Sequence, residues 1–178
     1  DPDRLAWRAE LDEAEKADIR VVPFDDAAYP ECLRRLSAPP PVLFVRGALP
    51  GDGRPALAVV GTRHPSVYGI RMAGRFAGEL ARFGFVVVSG LARGIDTRAH
   101  EAALAAGGTT IAVIGSGLLD IYPAENAGLA DRIAASGGAV VSEFPLRAGP
   151  RPENFPRRNR VISGLASGVL VVERAGLR

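Results

Sequence analysis

From residue 56 onward the chain alternates between short, uninterrupted apolar runs and stretches in which apolar and polar residues recur at helical spacing. The runs ALAVVG, FVVVSG, TTIAVIG, AVVSEF and GVLVVE read as strands. The segments PSVYGIRMAGRFAGELARF, GIDTRAHEAALAAG, AENAGLADRIAAS and NRVISGLAS read as helices. Strands that are apolar throughout, each followed by an amphipathic helix, predict a parallel sheet covered on both faces. The expected fold class is therefore α/β, a Rossmann-like, doubly wound, mostly parallel sheet with helices on both faces. Upstream, residues 3 to 17 place Leu5, Ala9 and Leu11 at helical spacing, IRVVPF at 19 to 24 reads as a strand, and a small helix is expected around 30 to 36. Three prolines at 39 to 41 forbid helix before the strand VLFV. We divide the chain into an N-terminal helical segment, 1–18, and a Rossmann-like domain, 19–178.

Right-handed crossovers in such a fold bring the C-terminal ends of the strands to one rim, where ligands bind at helix N-termini. The rim turns are Gly61-Thr62-Arg63-His64, Ser89-Gly90-Leu91-Ala92-Arg93-Gly94, Gly115-Ser116-Gly117 and Ser142-Glu143-Phe144-Pro145. Each offers backbone amides to an anion, although glycines there also serve simply to make tight turns. Arg63 and Arg93 stand where a phosphate would sit, and solvent exposure alone would also account for either one.

Composition narrows the chemistry. Of 22 basic residues, 21 are arginine, so positive charge arrives as bidentate guanidinium; a GC-rich genome would have the same effect. The single cysteine, Cys32, excludes an intrachain disulfide and fits a reducing compartment. No apolar run approaches the roughly 20 residues that cross a bilayer. The dinucleotide fingerprint G-x-G-x-x-G is missing after the first strand of the alternation, and no phosphate-binding G-x-x-x-x-G-K-S/T occurs. Ser89, Asp96 and His100 are weighed as a catalytic trio. The serine lacks a nucleophile elbow, and Asp96 suits a helix start on electrostatic grounds, so a structural role is preferred. Two histidines make no metal site without carboxylate help. The interval 143 to 160 holds Arg147, Arg151, Arg157, Arg158 and Arg160 with Phe144 and Phe155 interleaved. Guanidinium forks with an open aromatic face are the ingredients of single-strand recognition; Phe144 is expected in the core, and Phe155 exposed in a loop.

The blocks YPECLRRLSAPPPVLFVRG, VVGTRHPSVYG, VVSGLARGIDTRAHEAAL, TIAVIGSGLLDIYPAEN and SEFPLRAGPRPENFPRRNRVISGLASGVLVVE, in that order, resemble the DNA-processing protein A (DprA, also called Smf) family. The resemblance covers about residues 20 to 175. It implies an extended Rossmann fold and a cytoplasmic, non-enzymatic homodimer without cofactor, metal or catalytic residues. Such a protein would bind single-stranded DNA without regard to sequence, load RecA recombinase onto it and protect incoming DNA in natural transformation and recombination. By matching position, Arg63 and Arg93 would contact phosphates. Phe155, Arg158, Asn159 and Arg160 would form the main strand-binding element, and Gly61, Ser89, Gly90 and Gly94 would allow close backbone approach. The family often has lysine at the position of Arg93. Its members continue past the strand GVLVVE with a block of the kind SGSL-x-TA, a further helix and strand, and commonly a winged-helix domain. This chain stops at ERAGLR and is expected to be truncated at its C-terminus. Two rivals remain open: a Rossmann-like nucleotide hydrolase or phosphoribohydrolase, and an adaptor whose arginines face an acidic protein.

Overall fold

The structure, a computed structural model, describes residues 2–51 and 53–174. In chain order the elements are α1 (Pro2–Lys16), β1 (Ile19–Pro23), α2 (Glu31–Arg34), β2 (Val42–Gly47), β3 (Ala56–Gly61), α3 (Val67–Arg82), β4 (Val86–Ser89), α4 (Ile95–Ala105), β5 (Thr110–Val113), α5 (Ala127–Ala135), β6 (Ala139–Ser142), α6 (Asn154–Leu165) and β7 (Gly168–Glu173). The seven strands form one sheet in the order β1-β2-β6-β5-β4-β3-β7. β6, β5, β4, β3 and β7 are parallel neighbours, whereas β2 pairs antiparallel with both β1 and β6. The expectation that every strand ends on one rim is therefore corrected for β2. The connection from β1 to β2 contains only the single-turn α2 and the prolines, too little to carry the chain across the sheet and back in the same direction.

β4, β5 and β6 are buried at every position, which is why their sequences show no alternation. On one face of the sheet, Leu33 of α2 and Val161 and Ile162 of α6 pack on Val88, Ile111, Val113 and Val141. On the other, Leu129 and Ile133 of α5 join Phe44, Ala112 and Val140, and α3 and α4 meet through Ala77, Ala81, Ala99 and Ala103 over Val59 and Val87. α1 docks beside this second face. Ala14 is buried with Ile19 and Phe44, Glu10 accepts a 2.5 Å hydrogen bond from the Leu146 amide, and Arg147 pairs with Glu13.

α6 starts at Asn154, five residues before the expected helix at Asn159. Pro156 falls in its first turn, where an amide has no intrahelical acceptor and a fixed φ fits the helix, so proline does not break it. FPRRNR is consequently helical, and Phe155 lies on a helix instead of in a loop. β7 closes one edge of the sheet. Leu170 and Val172 turn toward the helices of the second face, while Val169 and Val171 are exposed beside α6.

Candidate nucleic-acid interface

Residues from four separate segments meet at the rim. A cleft of about 870 Å³ opens there, lined by Gly61 to His64 after β3, Ala92 and Asp96 at the start of α4, Phe155 and Arg158 to Arg160 of α6, and Val169, Val171 and Glu173 of β7. The half-buried Phe155 ring is its central surface. The Arg63 guanidinium lies 5.0 Å from the ring centroid, that of Arg158 6.0 Å, and the Tyr122 ring 5.9 Å at a tilt of 56°. Cations over an aromatic face attract its quadrupole, so the ring and Arg63 fix one another. Arg63 is exposed and forms no ion pair among the described residues.

Arg158 has a different setting. Its residue is 5% exposed, and one terminal nitrogen donates to the carbonyls of Gly90 and Val113, both at 2.5 Å, while Nε donates to Asn159 Oδ1 at 3.2 Å. Asp96, equally buried, accepts from the Gly90 amide at 3.1 Å. Burial works against charge on both groups, lowering the Arg158 guanidinium and raising the Asp96 carboxyl, and their mutual attraction opposes both shifts. Arginine stays ionised through such a change because its ordinary value is so high. Arg158 therefore ties the ends of β4 and β5 to α6, an internal duty that the expected phosphate contact did not include. Gly90 is needed for that tie, since a Cβ there would stand 2.5 Å from the Arg158 terminal nitrogen and 2.6 Å from Asp96 Oδ2.

Ser89, expected to allow close backbone approach, is placed in the core. It has no exposed surface and donates its hydroxyl to the Val59 carbonyl at 2.6 Å, joining β4 to β3. Gly94 caps α4 with φ 80° and ψ −120°, a conformation essentially reserved for glycine. Gly61 sits against Ile95 and the Glu173 carbonyl, leaving no room for a side chain.

Arg93, Arg160 and Arg157 are held by carboxylates. Arg93, exposed beside the cleft, pairs with Glu125, an interaction that raises the arginine and lowers the glutamate. Arg160 pairs with Glu143, whose side chain is 3% exposed, and Arg157 reaches the same carboxylate at 3.9 Å. Burial raises Glu143, against the pull of the two arginines. Asn159 is exposed on the cleft side.

Asp96 and His100 do not bond to one another. His100 Nδ1 meets Thr110 Oγ1 at 2.7 Å, and that hydroxyl donates to the Val87 carbonyl, so the imidazole is the donor and carries its proton on Nδ1. Burial pushes His100 down to about 3. Among the described residues no three His, Cys, Asp or Glu side chains gather as a metal site.

Four participants escaped the sequence reading. Tyr122 flanks Phe155, Glu125 holds Arg93, and Asn154 donates to the Gly115 carbonyl at 3.0 Å, fixing the first turn of α6. Glu173 accepts from the Ser66 hydroxyl at 2.8 Å, and Ser66 in turn caps α3. An aromatic residue directly before a proline in the rim segment after β5 was the available signal for Tyr122; nothing local pointed to the glutamates.

The sequence profile of DNA recombination-mediator protein A matches residues 20–177. Protein Smf of Escherichia coli K12 is 49% identical over 161 residues, 90% of this chain and 43% of that protein. DNA processing protein DprA of Bacillus subtilis is 43% identical over 157 residues, 87% of this chain and 52% of that protein. The X-ray structure of DNA processing protein A from Streptococcus pneumoniae superposes with a TM-score of 0.78 at 40% identity, covering 90% of this chain and 57% of that one. A structure describing the single-stranded DNA binding mode of DNA processing protein A from Helicobacter pylori gives 0.74 at 30% identity, covering 86% and 68%. The chain spans about half the length of these curated relatives.

Proposed function

Starting from the membership of this chain in the DNA recombination-mediator protein A family, we propose that it binds single-stranded DNA in the rim cleft, without regard to sequence. One observation carries the reading: the Arg63 guanidinium, without an ion pair among the described residues, stands over the partly open face of Phe155, putting a phosphate partner beside a base platform. The Helicobacter pylori relative, whose single-stranded DNA binding mode has been described, supports it. Gly61 shapes the floor, Gly90 and Gly94 set the turns beside it, Arg63, Arg93 and Arg160 face phosphates, Phe155 stacks, and Asn159 adds a polar contact. Arg158 acts chiefly by holding the platform in place.

In the same reading the protein works by binding and not by turnover. The carboxylates nearest the cleft, Asp96 and Glu173, are engaged by the Gly90 amide and by Ser66, which favours binding over activation of water. We extend the proposal to loading of RecA recombinase, protection of the bound strand, action as a homodimer and a cytoplasmic location. Family membership alone supports these four.

The test is an anisotropy titration of labelled oligo-dT and of a duplex of equal length across a salt series. The expected result is preference for the single strand, with a log-log salt slope of about −0.7 per neutralised phosphate. Preference for the duplex, or affinity indifferent to salt, would overturn the reading.

A further inference from the structure

We propose that the outward face of α3 carries the single strand after it leaves the cleft, so that the binding track continues from Phe155 and Arg63 past Tyr68, Arg71, Arg75 and Phe76. This deepens the proposed function and rests on it. α3 begins four residues after Arg63, on the same loop, so the helix is the direct extension of the rim. Tyr68 is 71% exposed on its first turn, and Phe76 is exposed two turns on. Arg71 and Arg75 are exposed between them. Residues 68, 71, 75 and 76 fall within one side of the helix, because three- and four-residue steps return to the same face. The opposite side, with Ala73, Ala77 and Ala81, is spent on packing.

The pattern is unusual for a surface that meets only water. Large aromatic side chains stand in solvent beside two arginines that have no carboxylate within ion-pair reach among the described residues. A face that alternates unpaired guanidinium with open rings matches a chain of phosphates and unstacked bases. Arg71 and Arg75 are about 6 Å apart along the axis, one helical turn, comparable with the step between phosphates of an extended strand. Farther along, Arg82 is neutralised by Glu79 at 2.7 Å. The positive field therefore fades toward the C-terminal end, and the track ends near Phe76, short of the exposed Phe83.

The experiment compares an oligo-dT of about five nucleotides, filling the cleft alone, with one of about twenty. Proteins are the wild-type chain, the pair Arg71→Ala with Arg75→Ala, Tyr68→Ala, and Phe83→Ala as a neighbouring control. The arginine pair is expected to weaken the long oligonucleotide about tenfold and to flatten its salt slope by about 1.4, two phosphates at about 0.7 each. Tyr68→Ala weakens it several-fold with the slope kept, and Phe83→Ala changes neither. Binding of the short oligonucleotide stays at the wild-type level in all variants, which also certifies their fold. Unchanged affinity and slope for the long oligonucleotide in the arginine pair would overturn the α3 track while leaving the cleft intact. A sedimentation shift in these variants with DNA binding unchanged would also overturn it, assigning the face to a protein contact. Failure of the wild-type chain to bind either oligonucleotide would refute the cleft and the track together.

Discussion

The Arg63 guanidinium lies 5.0 Å from the centroid of the Phe155 ring, although one residue stands on the loop after β3 and the other on the first turn of α6. The contact couples a phosphate-sized charge to a base-sized surface across the rim. Phe155→Ala is expected to weaken oligo-dT binding by about 1–3 kcal/mol, the range found for loss of one stacking partner, whereas Phe155→Tyr keeps most of the affinity. Arg63→Ala should also weaken binding and, unlike the aromatic change, flatten the salt slope by about 0.7. Anisotropy titrations at several salt concentrations distinguish the two signatures.

Arg158→Met is expected to act on folding before it acts on DNA. The change strands the Gly90 and Val113 carbonyls and leaves the buried Asp96 without its nearest cation. Breaking a buried charge pair from one side costs about 3–5 kcal/mol. Urea denaturation should register that loss, and adding Asp96→Asn should restore part of it by removing the orphaned charge.

In the proposed reading, Glu125 competes with phosphate for Arg93. Glu125→Gln is expected to raise affinity for single-stranded DNA a few-fold at low salt, with the gain fading as salt screens the exposed site. Equal affinities for mutant and wild type at low salt would remove Arg93 from the binding surface.

His100 makes stability dependent on pH. Its ordinary value of 6.5 falls to about 3 in the fold, so between these limits the unfolded chain takes up a proton that the folded chain refuses. The contribution is complete above pH 6.5 and is lost as pH falls, by about 1.4 kcal/mol per unit for one proton. Denaturation midpoints measured from pH 7 to 4.5 should drop more steeply for the wild type than for His100→Gln.

The strands were legible because β4, β5 and β6 are buried on both faces, leaving apolar runs that no surface strand could carry. The start of α6 was not, because Pro156 reads as a breaker unless the helix is known to begin two residues earlier. Arg63 could be placed on the rim from a strand end alone, whereas Phe155 was expected in a loop and its part in strand binding was implied only by the family resemblance. The burial of Arg158 could not, since it depends on β4 and β5 lying side by side beneath α6, and strand order leaves no trace in local sequence. The glutamates that hold Arg93 and Arg160 were hidden for the same reason: 32 and 17 residues separate the partners.

The crossover from β6 to β7 also sets a timetable. β7 reaches past three strands to pair with β3, and Leu57 of the first parallel strand finds Gly168 of the last. During synthesis, β3, β4 and β5 emerge before α6, with the Gly90 and Val113 carbonyls still open to water; only the arrival of α6 brings Arg158 to close them and Phe155 to cover Gly115. A nascent chain short of that helix has a sheet but no platform. In the proposed reading, competence to grip a strand therefore waits for α6.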